Sequence, residues 1–153
     1  MTFESVPFSI GEVARESVAL FNMKAAEKSI GLELNIDPLL PIAVSGDPTR
    51  LSQVINNLIS NAVRYSTPDG WIKVSARAIP GGIETLISND CLPVSPIQRQ
   101  RFFDRFYRGD SVRQQGIEGS GLGLSLAREI ARAHGGDLSL LPSSPEVVQL
   151  RLW

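Results

Sequence analysis

Gln53-Val-Ile-Asn-Asn-Leu-Ile-Ser-Asn-Ala-Val-Arg-Tyr65 reads as one helix with two faces of opposite character. Leu51, Val54, Ile55, Leu58, Ile59 and Ala62 recur at the three- and four-residue spacing of a helix packed on a core. Gln53, Asn57, Asn61 and Arg64 fall on the other side, within roughly 80° of one another at about 100° per residue. Amides and a guanidinium on one strip can hold a metal ion and phosphates. A single Asn on a helix surface is ordinarily just solvated. Two of them one turn apart are harder to read that way, because each costs roughly half a kcal/mol against Ala in a helix interior and a solvated face could use Lys or Glu. Upstream, Asp47-Pro48 supplies an N-cap followed by Pro at the first helical position, and downstream Thr67-Pro-Asp-Gly70 makes a turn.

A second helix is announced by glycines. Gly119-Ser-Gly-Leu-Gly-Leu124 runs into Leu122, Leu124, Ser125, Leu126, Ala127, Ile130 and Ala131, an apolar helical pattern closed by His134-Gly135-Gly136. Glycines there let the backbone approach a ligand, and the helix behind them presents unpaired N–H groups that suit an anion. Read in isolation, the same turn is equally a flexible loop before a helix. It is not a P-loop, since no Lys-Ser or Lys-Thr follows the last Gly, and Gln115-Gly-Ile-Glu118 does not read as the strand that a dinucleotide fingerprint needs.

The rest of the chain gives the frame. Ser9-x-x-Glu12 reads as a capping box, and Ile10, Val13, Ala14, Ser17, Phe21 and Ala25 form a helical stripe that ends near Gly31. Leu32 to Ile36 alternates as a half-buried strand, after which Pro38, Pro41 and Gly46 interrupt. Trp71 to Ala76 and Ile83 to Ser88 pair around Pro80-Gly-Gly82, and Asp137 to Leu141 with Val147 to Trp153 read as another hairpin. Helices therefore pack on one side of a mixed sheet, in one α+β domain spanning residues 1–153, interrupted by a long irregular segment from about 95 to 118.

Composition excludes several functions. At 153 residues and 42% hydrophobic content the chain can bury a proper core, and no apolar run approaches the roughly 20 residues of a membrane span. A formal charge of −1 argues against general nucleic-acid binding, yet Arg99, Arg101, Arg105, Arg108 and Arg113 crowd one segment that needs an anionic partner or solvent. The lone Cys91 excludes an internal disulfide and a cysteine metal cluster, as expected in a reducing compartment, and no secretory signal is visible at the N-terminus.

Phe102-Phe-Asp-Arg-Phe-Tyr-Arg108, lying between the two helices, completes an ordered set. Asn57 with Asn61, then Phe103-Asp-Arg-Phe-Tyr-Arg108, then Gly119-Ser-Gly-Leu-Gly123 resembles the catalytic ATP-binding domain of bacterial sensor histidine kinases, within the larger family that includes gyrase, Hsp90 and MutL. The resemblance covers nearly the whole chain from Gly46 onward. It implies the two-layer α/β sandwich of the Bergerat ATP-binding fold, with a mixed sheet covered on one face by three helices and a long ATP lid at about 95–118. It also implies phosphoryl transfer from ATP, with Mg²⁺, to a histidine. Asn57 would hold the metal, Asn61 and Arg64 the phosphates, and Tyr65 the base or ribose. Gly119, Gly121, Leu122, Gly123 and Leu124 would form the glycine box. Arg108 would contact the γ-phosphate, with Arg113 a second candidate, and Phe103 and Phe106 would anchor the lid, face partner helices or simply pack.

In the hydrolysing relatives the position of Asn57 carries a Glu that activates water; an amide takes no proton near neutral pH, so Asn57 favours holding ATP over hydrolysing it. The adenine box departs from the family pattern: Asn89 stands for the usual Asp, and Cys91 and Pro93 for two glycines, with Asn at the first position also seen in heavy-metal-responsive sensor kinases. Asn keeps an acceptor but loses the charge, and Cys and Pro resist the glycine path, so reduced nucleotide affinity is expected. Asp90 is an alternative adenine contact. His134, at a helix end before two glycines, reads as a cap of that terminus rather than a phosphate acceptor. The acceptor would belong to a dimerisation domain absent from this chain, in an inner-membrane receptor that signals through a response regulator, with this domain on the cytoplasmic side. A serine kinase of the anti-sigma-factor type, and a degenerate domain acting through protein contacts, are the alternatives.

Overall fold

A computed structural model of the chain describes residues 5–41, 43–93, 95–97, 123–142 and 146–153. Strand β1 (Val6–Phe8) leads into helix α1 (Ile10–Glu27), where the Ser9 hydroxyl accepts the Glu12 N–H at 3.2 Å, the N-cap half of the expected capping box, while the Glu12 carboxylate accepts from Arg15 Nη1 at 2.6 Å instead of reaching back to Ser9. The expected stripe of Ile10, Val13, Ala14, Ser17, Phe21 and Ala25 is buried. Strand β2 (Gly31–Ile36) and the short β3 (Val44–Gly46) precede helix α2 (Pro48–Tyr65). The Asp47 carboxylate caps α2 by accepting the Arg50 N–H at 3.1 Å. Val54, Ile55, Leu58, Ile59, Ala62 and Val63 are buried, while Leu51 in the first turn is half-buried.

Strands β4 (Trp71–Ile79) and β5 (Gly82–Asp90) form the long central hairpin, followed among the described residues by α3 (Gly123–Ala133), β6 (Leu138–Leu140) and β7 (Val147–Leu152). The sheet runs β2-β4-β5-β7-β6, parallel between β2 and β4 and antiparallel elsewhere. Register puts Leu34, Val74, Ile87, Leu150 and Leu140 in one row across it. That row shares one core with Ile55, Leu58 and Ile59 of α2 and Ile130 of α3. Helix α2 packs between α1 and α3 over the same face, giving the α+β layers expected. On the other face, Glu84 is almost wholly covered because Arg77 Nε at 2.7 Å and Arg151 Nε at 2.5 Å close over its two oxygens.

Three features depart from expectation. Strands β1 and β3 pair with each other although Pro7 and Gly46 lie within them; a ladder of three residues with two edges tolerates both. The central hairpin continues past the predicted limits, to Ile79 on β4 and Asp90 on β5, so Asn89 belongs to a strand and not to a loop. Leu126, counted with the apolar pattern of α3, is exposed; it lies about 40° outside the arc occupied by Leu124, Ala127, Ile130 and Ala131, which are buried.

Candidate functional site

The polar strip of α2 lies where helical spacing predicts. Gln53 is exposed, while Asn57, Asn61, Arg64 and Tyr65 are half-buried. Gln53 takes a long contact of 3.5 Å from Arg50 Nη1. Among the described residues, the side chains of Asn57, Asn61 and Arg64 have no hydrogen-bond partner. Their neighbour Asn56 differs: its Oδ1 accepts the buried Ser17 hydroxyl at 2.5 Å and ties α2 to α1. Of the two adjacent asparagines, Asn57 is the one whose side chain has no partner among the described residues.

Asn89 comes from the end of β5. It pairs with Ile72 and Val148, both buried, so its side chain shares the helix-covered face and is 3% exposed. Its Nδ2 donates to the Asp90 carbonyl at 2.6 Å, and among the described residues its Oδ1 has no partner. A buried acceptor without a donor is uncommon in a native fold and suits an amino group brought by a ligand. Asp90 is different, because its carboxylate is filled from within the protein. Oδ1 accepts from the Ser66 hydroxyl and from the Trp71 N–H at 2.9 Å, and Oδ2 accepts from the Thr67 hydroxyl. Burial pushes this carboxyl up, and the donors of Ser66, Thr67 and Trp71 outweigh it, leaving the group below the ordinary aspartate value. The alternative adenine contact expected at Asp90 therefore has its acceptors already used.

Two further ties hold the site elements. Lys28 Nζ donates to the carbonyls of Val63 at 2.7 Å and Ser66 at 2.8 Å, a cation on the C-terminal carbonyls of α2. Burial lowers its pKa against the pull of nearby Asp90. His134 does cap its own helix, with Nδ1 2.9 Å from the Ile130 carbonyl; it also accepts the Asp47 N–H on Nε2 at 3.1 Å, which joins the end of α3 to the start of α2. Gly46 faces that imidazole, and a Cβ there would come within 3.2 Å of the ring. Sequence spacing could not have found the Lys28 bonds or the His134–Asp47 bond, since each joins residues more than 30 positions apart.

Arg108, Arg113, Phe103, Phe106, Gly119, Gly121 and Leu122 lie outside the described residues, as does nearly all of the segment expected to be a lid. Gly123 is the first described residue of α3, and Leu124 is buried in the core beside Ala127.

Residues 46–152 match the Histidine kinase-, DNA gyrase B-, and HSP90-like ATPase family. The chain belongs to this ATPase family. It is 39% identical over 97 residues to the sensor histidine kinase CusS of Escherichia coli O157:H7, covering 63% of this chain and 20% of that protein. With the sensor-like histidine kinase SenX3 of Mycobacterium tuberculosis H37Rv it shares 33% identity over 122 residues, 80% of this chain and 30% of that protein. It thus spans less than a third of these curated relatives. Its structure is similar to the catalytic domain of histidine kinase ThkA, with a TM-score of 0.81 and 25% identity, covering 99% of this chain and 95% of that one. Among the described residues no helix is long and apolar enough to cross a membrane.

Three acidic groups of this ATPase domain make its acid response predictable. In Glu84, Asp90 and Asp137 burial raises the pKa, and hydrogen bonds outweigh it: from Arg151 and Arg77 for Glu84, from the Ser66, Thr67 and Trp71 donors for Asp90, and from the Leu138 N–H and Arg132 for Asp137. A carboxyl held below its unfolded value stabilises the fold above that value, about 4, and the contribution is lost as pH falls through the folded value. The part of the stability these three groups supply should therefore be lost steeply below about pH 4 in thermal unfolding. Glu84→Gln should make that drop shallower, as read by circular dichroism at each pH.

Proposed function

We propose that this chain is the ATP-binding catalytic domain of a sensor histidine kinase, passing the γ-phosphoryl group of ATP to a histidine on a separate dimerisation domain. The observation that carries the reading is that, among the described residues, the side chains of Asn57, Asn61 and Arg64 and the buried Oδ1 of Asn89 have no partner, in a fold that follows a histidine kinase catalytic domain over 99% of its length. Carboxamide oxygens are hard neutral donors of the kind Mg²⁺ accepts beside phosphate oxygens. Asn57 is the candidate metal ligand, Asn61 and Arg64 the candidate phosphate contacts, and Tyr65 the group beside the base or ribose. Asn89 Oδ1 is suited to accept from the adenine amino group. Arg108 and the glycine box from Gly119 to Leu124 remain candidates for the γ-phosphate and the phosphate cradle.

Bound Mg·ATP would supply the phosphoryl group and neutralise part of its charge; the protein contributes alignment and electrostatic stabilisation. No carboxylate stands at Asn57 to take a proton from water, so the site retains the nucleotide until an acceptor arrives. By analogy with its relatives, the acceptor histidine belongs to another domain of a membrane-bound receptor, and a response regulator is a separate partner protein.

Titration of the purified chain with a non-hydrolysable ATP analogue and Mg²⁺ tests the reading. We expect saturable binding that is weaker than low micromolar, because Asn89 lacks the charge of Asp and Cys91 and Pro93 replace glycines; no binding at millimolar concentration would favour a non-catalytic role. Incubated alone with radiolabelled ATP, the chain should not label itself, since both ring nitrogens of His134 are engaged, Nδ1 by the Ile130 carbonyl of its own helix and Nε2 by the Asp47 N–H before α2. Stable phosphate on His134 would contradict the reading. Supplied with a dimerisation domain, the product should be acid-labile and base-stable, whereas a serine kinase would give the reverse.

A further inference from the structure

Asp90 lies one residue beyond Asn89, and donors from three neighbouring positions of the chain fill its carboxylate. Its partners are the Ser66 hydroxyl, the Thr67 hydroxyl and N–H, and the Trp71 N–H. Two carboxylate oxygens offer about four acceptor positions, and these donors take them. Ser66 is the C-cap of α2, Thr67 opens the following turn, and Trp71 begins β4. Gly70 completes the arrangement, because a Cβ at that position would overlap the Asp90 carboxylate.

From the other side, Lys28 holds the carbonyls of Val63 and Ser66, its own carbonyl accepts the Asp69 N–H at 3.1 Å, and the Gly31 N–H donates to the Gly70 carbonyl at 3.0 Å. The last turn of α2, which carries Arg64 and Tyr65, is thus gripped by a cation on its carbonyls and by an anion just past its end. Each group is satisfied only while the other elements hold their place, which makes the cluster a rigid joint.

We propose that Asp90 is a positioning residue of the nucleotide site: it locks the C-terminal end of α2 to the end of β5, so that Arg64 and Tyr65 keep a fixed relation to Asn89. This rests on the nucleotide reading above. A group that acts by position should be needed for every ligand that spans both elements and should not alter the metal dependence, which belongs to Asn57.

The test is calorimetric titration of the full chain with ADP and with a non-hydrolysable ATP analogue plus Mg²⁺. Asp90→Asn should weaken both ligands by a similar factor, at least fivefold, with the Mg²⁺ dependence of the ATP analogue unchanged. Thr67→Val, which keeps shape and removes a hydroxyl, should weaken both in the same direction, and Thr67→Ser should restore them to within twofold of the wild type. Val13→Ala, a core truncation in the N-terminal half of α1, controls for stability: it should lower the melting temperature and leave both affinities within twofold. Wild-type affinity in Asp90→Asn, or in Thr67→Val should the first variant not fold, overturns the proposal while leaving the nucleotide reading intact. So does affinity that merely tracks melting temperature across all variants. A wild-type chain that binds neither ligand overturns both.

Discussion

Asn57→Ala should lower phosphoryl transfer by roughly 10²–10³-fold, the range seen when one preorganised electrostatic group is removed, while leaving the fold slightly more stable. The two effects have separate causes. Asn57 has no side-chain partner among the described residues and stands on a helix face turned from the core, so Ala removes no hydrogen bond and gains about half a kcal/mol of helix propensity. If Asn57 orients Mg²⁺ and the phosphates, the same change removes a ligand from a site whose catalysis is mostly alignment. Activity is to be measured with this chain joined to a dimerisation domain carrying the phosphoacceptor, and stability by thermal unfolding. Asn56→Ala is the contrast: it orphans the buried Ser17 hydroxyl and should cost about 1–3 kcal/mol. Equal loss of activity in the two variants, or an unstable Asn57→Ala, would contradict the assignment.

Leu58→Ala should cost about 3–5 kcal/mol, a large part of the 5–15 kcal/mol that a domain of this size holds. Leu58 is 1% exposed, lies in the α2 stripe among Ile55, Ile59 and Ala62, and shares the core with Ile72, Val74 and Ile87 of the sheet. Removing its side chain leaves a cavity that the rigid sheet below and the helices on either side can fill only partly. The melting temperature should fall by roughly 10 °C or more, and the denaturant midpoint should shift with little change of slope. If Asn57 and Asn61 contact the nucleotide, its affinity should fall as well, because both ride on the same helix. A loss below about 1 kcal/mol would mean that α2 is not packed on the sheet as described.

Local periodicity made much of this legible from the sequence. Every residue of the α1 stripe from Ile10 to Ala25 is buried, both predicted helix caps hold, and the polar strip of α2 faces away from the core. The resemblance carried the rest of the family reading, which the match over residues 46–152 supports. Less could be read where meaning depends on partners distant in the chain. Asn56 and Asn57 are adjacent and chemically identical, and only the approach of Ser17 separates them. Asn89 and Asp90 were both plausible acceptors for adenine until Ser66, Thr67 and Trp71 filled one of them. His134 reads locally as a cap, and its second bond, to Asp47, spans 87 positions.

By itself, then, the sequence determined which faces are apolar, where the helices start and which residue types could meet a nucleotide, because these follow from spacing and from the intrinsic preferences of a few neighbouring residues. Tertiary structure decided which polar groups remain available, because a hydrogen-bonding group is free or spent according to what the folded chain brings within about 3 Å of it. Nothing in a local window of sequence encodes that distance.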